Sequence, residues 1–207
     1  MDLRWEILVG YWPLFMEGLW TTVKLTLVSI TVGLALGALL GLISSSRDAP
    51  PPKSPLMAML MKVVRGITIG YVTFFRGTPL FVQILLVHFA VMPALIHPDH
   101  GLLLAGEAAR DFRQNHGAFF SGALALSLNA GAYISEIFRA GIESIHRGQT
   151  QAGWSLGLTH AQAMRYVILP QAFRRMVPAL VNEGVTLIKD SSLVSAIGLA
   201  ELALAAR

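Results

Sequence analysis

The sequence predicts an all-α fold of membrane-crossing helices, on three observations. Of its 207 residues 54% are hydrophobic and 14% charged, against about 25% charged in an ordinary soluble domain. Apolar runs recur that approach or exceed the roughly 20 residues a spanning helix needs. A polar, basic stretch, residues 139–178, is flanked by two such runs and reads as a loop held at one membrane face. The expected architecture is a polytopic helix bundle with four visible transmembrane helices, one domain over residues 1–207, with the 139–178 loop inside it.

Composition narrows the chemistry. There is no cysteine, which excludes disulfides, thiol catalysis and cysteine metal sites. A net charge of +4 could suggest nucleic acid, but where the charges lie matters more than their sum. The first apolar run is too long for a cleavable leader, and its flank is acidic rather than basic.

Taken in order, residues 1–17 set Asp2, Glu6 and Glu17 against Arg4, and Trp5, Tyr11, Trp12 and Trp20 form an expected interfacial aromatic belt. Span one is expected over 19–43, with Lys24 near its start able to snorkel. Gly33, Gly37 and Gly41 recur every four residues, so they share a helix face and allow another helix to approach closely. Residues 44–55 read as a rigid polar turn, and 56–75 as a helix that starts in the interface. Gly77 and Pro79, in the RGTPLFVQ stretch of 76–83, bend the chain into span two, which is expected to continue to about residue 96. Residues 97–118 read as a solvated loop. Its His97, His100 and His116 lack a tight ligand spacing, so no metal is expected. Span three covers 119–138, with Ser127, Gly131 and Ser135 as a second small-residue stripe, and span four about 178–199.

The polar loop is punctuated as two short helices. Gln151 to Leu156 form the first, with Gly157 as its left-handed stop. Thr159 caps the second, and Gln162 three residues on completes a capping box. Pro170 is expected to end that helix, since it has no N–H and clashes with the preceding turn. In isolation AGWSLGLTHAQAM could pass for a DNA-binding helix-turn-helix. The flanking spans lie too near for a duplex to escape the lipid, and the second helix offers few side chains suited to base edges.

Basic residues orient the chain. Arg47, Lys53, Lys62, Arg65 and Arg76 cluster in 44–78, and Arg139, Arg147, Arg165, Arg174 and Arg175 in 139–176. By the positive-inside rule these segments face the cytoplasm and the N-terminus lies outside. The expectation is a membrane protein that crosses the bilayer several times.

These residues resemble the membrane subunit of an ATP-binding-cassette importer, the permease of the polar amino acid group (histidine, glutamate, glutamine, arginine and opines). That family's loop signature reads EAA, three residues, Gly, nine residues, then I-x-LP. Here it stands as Gln151-Ala152-Gly153, Gly157, and Val167-Ile168-Leu169-Pro170. RGTPLFVQ (76–83), AYISEIFRAGI (132–142), RGQTQA (147–152), LPQAFRRMVPAL (169–180) and IKDSSLVSAIG (188–198) resemble the same group, so the likeness covers nearly everything but 97–118. Two departures stand out. Gln151 and Gly153 replace the signature's Glu and second Ala, and the family's fifth span is missing after the SAIG-like segment, so a truncated chain is expected.

The resemblance implies a type I importer permease fold, set in a bacterial inner membrane, that performs no catalysis and binds no cofactor. ATP would be used by a separate ATPase dimer, docked on Gln151, Ala152, Gly153, Trp154, Leu156, Gly157, Val167, Leu169 and Pro170. Other implied partners are a second permease subunit, identical or homologous, a periplasmic or extracellular substrate-binding protein and membrane lipid. Trp154 and Leu156 are apolar anchors either for that ATPase or for the chain's own spans. Polar groups within the spans are costly and mark candidate substrate contacts: Asn129, Glu136, Glu183, Lys189 and Asp190, of which Lys189 and Asp190 could instead form a structural pair or lie at the outer interface. A secondary transporter would predict inverted repeats and paired broken helices, which are not found; a non-transporting membrane scaffold is the other alternative.

Overall fold

A computed structural model of the chain describes residues 5–45 and 54–206. The turn expected over 44–55 falls mostly on 46–53, outside the described residues, as do Asp2 and Arg4. The described chain is helical almost throughout: α1 (Trp5–Ser44), α2 (Pro55–Gly77), α3 (Leu80–Leu86), α4 (Met92–Leu95), α5 (Gly106–Asn115), α6 (Gly117–Glu143), α7 (Arg147–Ser155), α8 (His160–Ala163), α9 (Leu169–Asp190) and α10 (Leu202–Ala205). Gly10–Ser44, Pro55–Gly77 and Gly117–Glu143 are long and apolar enough to cross a membrane, and Leu80–Leu95 is a shorter apolar helix.

Several boundaries differ from expectation. The helix of span one starts well before residue 19 and keeps Pro13 inside it. The 55–77 helix, expected to begin in the interface, is apolar enough to cross by itself. The expected bend falls at residues 78–79, after which Pro79 stands in extended geometry as the N-cap of α3. The loop expected over 97–118 contains helix α5 and a short parallel bridge between Ile96 and Leu104. The helix assigned to span four starts at Leu169 rather than near 178 and ends at Asp190. It carries Arg174, Arg175, Glu183, Lys189 and Asp190, so its length exceeds its apolar content. A 3₁₀ segment, Ser191–Ile197, follows and closes on Gly198 at φ 82°.

Pro170 does not end its helix. The chain stays helical from α8 into α9 through a π-helical turn, Met164–Ile168, that precedes Leu169-Pro170. A proline supplies no N–H and crowds the carbonyl four residues back; the wider π turn sits where that crowding would fall. The same arrangement recurs at Val87–Val91, directly before Met92-Pro93.

The chain forms two compact units, and α1, α6 and α9 contribute residues to both. The first unit contains residues up to 31, 78–127 and 184 onward. Within it α10 packs on α1: Leu202 N–H donates to Thr22 Oγ1 at 3.1 Å, and a Cβ on Gly18 would come within 2.8 Å of Ala205. Buried Glu201 caps α10 by accepting from Ala203 and Leu204 N–H.

The second unit contains 32–77 and 128–183. Here α1 lies against α6 so closely that a Cβ on Gly37 would be 2.6 Å from Ile134 Cβ, and one on Gly41 2.5 Å from Phe138 Cβ. The glycine stripe therefore serves packing within this chain, and Gly33 on the same face is buried. Tyr71 O–H donates to the Leu128 carbonyl and Asn129 Nδ2 to that of Phe75 at 3.2 Å, which fastens α2 to α6. Ile142, Ile145, Ile168, Ala172 and Met176 form the apolar core that joins α6 to α9.

Candidate functional site

The polar loop is built on that core. His146 Nδ1 accepts from Gly148 N–H and caps α7, which thus starts at Arg147, earlier than the expected Gln151. At its other end Gly157 N–H donates to the Trp154 carbonyl at 2.9 Å and Leu158 N–H to that of Gly153 at 3.0 Å, with Gly157 at φ +80°. This is a Schellman closure, and the left-handed residue is a glycine because it has no Cβ to strain. Nothing in this chain lies within 4 Å of a Cβ built on Gly157, so what calls for glycine within the chain is its backbone conformation. The Thr159–Gln162 capping box forms as expected, with both hydrogen bonds present. Gly153 is buried, and a methyl there would stand 3.3 Å from Ala163 Cβ, so α7 and α8 pack tightly through it.

The signature residues divide into two groups. Val167 and Leu169 pack on the Ile142–Met176 core, and Pro170 follows the π turn. Gln151 and Ala152 are exposed, Trp154 is 43% exposed and Leu156 83%. Two cross-links hold the loop: Gln171 Nε2 donates to Gln149 Oε1 at 3.3 Å, and Arg175 Nη1 to the Ser144 carbonyl at 2.7 Å. The exposed apolar pair therefore sits on a fixed platform.

The other polar cluster of this unit is an ion network. Arg139 Nη2 lies 2.8 Å from Glu136 Oε2, its Nη1 2.7 Å from Glu143 Oε2, and Arg76 Nη1 3.5 Å from Glu136 Oε2. The Arg76 guanidinium also stands 5.3 Å from the centre of the Tyr133 ring, a cation–π distance. Two cavities meet at Glu136 and Arg76. One, of about 550 Å³, is also lined by Tyr133, Ser144, Arg175 and Glu183; the other, of about 540 Å³, by Arg65, Thr68 and Arg139.

Of the expected substrate contacts, Glu136 and Glu183 thus line one cavity. Asn129 is buried and spends an amide donor on the Phe75 carbonyl, so it acts as a clamp between helices. Lys189 and Asp190 belong to the first unit and make no ion pair among the described residues, contrary to the expected pair. Sequence reasoning missed Arg76 as the partner of Glu136, since 60 positions separate them, and missed Arg175 and Ser144 as a tie between α9 and α6. In the 97–118 segment the ligand atoms of His97, Asp99 and His100 lie within 4.8 Å of one another, closer than the spacing suggested.

Apolar helices that pack through glycine, a charged cavity among them and a pinned loop with exposed apolar side chains are the features of a membrane transport component. The model of the family described as "binding-protein-dependent transport system inner membrane component" matches residues 54–207, and the chain belongs to that family. It is 36% identical over 200 residues to the glutamate/aspartate import permease protein GltK of Escherichia coli O6:H1, covering 97% of this chain and 79% of the relative. It is equally 36% identical to the arginine transport system permease protein ArtQ of Bacillus subtilis, over 98% of this chain and 78% of that protein. A crystal structure of an amino acid ABC transporter with histidines matches at TM-score 0.72 and 37% identity, over 98% of this chain and 80% of the other. An inward-facing MetNI methionine ABC transporter shares the fold at TM-score 0.64 and 23% identity, over 92% and 77%.

Proposed function

We propose that the chain is the permease subunit of an ATP-binding-cassette importer for a polar amino acid, paired with a second permease subunit and driven by a separate ATPase dimer. A substrate-binding protein delivers the amino acid from outside. The N-terminus lies outside and the 139–178 loop in the cytoplasm. The chain itself carries no catalytic group and holds no cofactor; ATP belongs to the partner.

The observation that carries this reading is the loop: Trp154 on α7 and Leu156 at its end stand exposed, on a helix capped at both ends and tied to α9 through Gln149 and Gln171. A short helix seated in a partner's groove is a common recognition mode, and a rigid seat lets motion of the ATPase reach α6 and α9 without loss. The Glu136–Glu183 cavity supports the substrate class. Its carboxylates suit the ammonium of an amino acid, and Arg76 and Arg175 its carboxylate.

Reconstitution tests the reading. Vesicles that hold this chain with its ATPase and binding protein should accumulate a polar amino acid only when ATP is inside. Uptake driven by an ion gradient without ATP would instead establish a secondary transporter.

A further inference from the structure

The first unit holds a second charged cavity, of about 310 Å³, that plays no part in that reading. It lies where the apolar helix Leu80–Leu95 ends and α6 begins, with α5 as its rim. His88 and Met92 come from the first, Ser121 from the second, and Arg110, Arg113 and Gln114 from the third. Arg110 and Arg113 are i,i+3 neighbours, a spacing at which like charges repel. Neither makes an ion pair among the described residues, and no carboxylate lines the cavity. Of the two acids on the same helix, Asp111 accepts from Asn115 Nδ2 at 2.7 Å, and Glu107 makes no ion pair among the described residues.

The cavity floor adds no negative charge. Ser121 Oγ donates to the Gly117 carbonyl at 2.7 Å, so in its 3.0 Å contact with His88 Nδ1 the imidazole is the donor. Two guanidinium groups gathered over a floor without acid call for an anion. Their planar forks match phosphate oxygens bidentately. The surroundings are apolar: Leu102 is 79% and Leu103 75% exposed on the adjoining loop, and Phe89 and Phe120 are exposed on the two helices.

We propose that Arg110, Arg113 and Gln114 bind a phosphate-type oxyanion, whose source in the membrane is the headgroup of an anionic phospholipid. Basic pockets between membrane helices hold such headgroups on the cytoplasmic side, and two guanidinium forks without a carboxylate partner offer the same chemistry at this outer end. Leu102, Leu103, Phe89 and Phe120 would lie along the acyl chains.

The test uses the full chain purified in neutral detergent, with thermal midpoint and native mass spectrometry as readouts. Phosphatidylglycerol should raise the midpoint and remain bound, and phosphatidylcholine should do neither. The double variant R110Q/R113Q should weaken phosphatidylglycerol binding by about tenfold or more, as expected when bidentate charged contacts are lost. R165Q/R174Q, with the same loss of charge elsewhere, should keep it. Inorganic phosphate that stabilises the wild type but not R110Q/R113Q would support the site and assign it to free phosphate. Equal phosphatidylglycerol binding by wild type and R110Q/R113Q would overturn the proposal. Should that double variant fail to fold, R110K/R113K retains the charge and loses only the forks. Weakened binding by it would support the site, and unchanged binding would count against it.

Discussion

Arg76 Nη1 lies 3.5 Å from Glu136 Oε2, and Arg139 holds the same carboxylate from α6 itself with Nη2 at 2.8 Å. One acid thus joins the end of α2 to the C-terminal third of α6, at the place where two cavities meet. These side chains are partly exposed, so each pair contributes only about 0–1 kcal/mol to stability. The arrangement makes more sense as a device for positioning charge than as a support for the fold. Glu136→Gln should therefore leave thermal stability nearly unchanged and lower the maximal rate of ATP-driven uptake by about tenfold or more, a rise of about 1.4 kcal/mol in the barrier to transport. Uptake assays paired with melting curves would check this; an equal loss of both would return Glu136 to a structural role.

The exposed pair at the end of α7 leads to a complementary outcome. Leu156 is 83% exposed and Trp154 43%, so Leu156→Asp removes little packing within this chain. A charge there does meet any apolar groove that receives the helix, where an unpaired charge is strongly unfavourable. The variant should insert and melt as wild type does yet fail to co-purify with its ATPase. Retained co-purification would show that the partner docks elsewhere.

Gly157 separates conformation from contact. Its φ of +80° strains any residue with a branched side chain, whereas the space around it is open. A non-glycine residue in this region costs about 1–2 kcal/mol, and asparagine is the side chain that tolerates it best. Gly157→Asn should keep most uptake and Gly157→Val should lose it, with α7 fraying in hydrogen exchange for the latter. Equal loss in both would mean that the partner approaches the glycine itself.

Packing between α1 and α6 admits a harsher test. A Cβ on Gly41 would stand 2.5 Å from Phe138 Cβ and 2.8 Å from the Ser135 carbonyl, neither of which is the free end of a flexible chain. Overpacking of this kind costs about 1–3 kcal/mol. Gly41→Leu should lower the yield of folded protein in the membrane, whereas Gly66→Leu, with nothing within 4 Å, should not. Fluorescence-detected size exclusion of both variants would read the difference.

Local signals were the most legible. Thr159 and Gln162 lie three residues apart and complete one motif, and Gly157 ends one helix, so both could be read without the fold. The glycine stripe was legible as a face, but its occupant was not, because Ile134 and Phe138 lie about a hundred positions away. The Arg76–Glu136 pair was hidden for the same reason: no spacing connects residues on different helices. Lys189 and Asp190, adjacent in sequence, suggested a pair that does not form, since neighbouring side chains on a helix point in different directions. Boundaries suffered where charge and helix disagree. Arg174 and Arg175 read as loop, yet the helix starts before them at Leu169.

Pro170 carries the last prediction. Both π-helical turns stand directly before a residue–proline step, at Leu169-Pro170 and at Met92-Pro93. The first lies between the capped helix α8 and the long helix α9, so its wider winding sets how the loop is rotated about α9. An alanine at 170 restores the missing N–H and relieves the crowding, which removes the reason for the π turn. Pro170→Ala should thus let α8 and α9 join as one regular helix and raise the melting midpoint. Helix prolines cost up to about 3 kcal/mol, which sets the upper limit of that gain. The same change turns the exposed Trp154–Leu156 face away from its seat, so ATP-driven uptake should fall as stability rises. Melting and uptake measured on the same preparation decide the matter: a variant that gains stability and keeps full uptake would show that the π turn merely accommodates the proline.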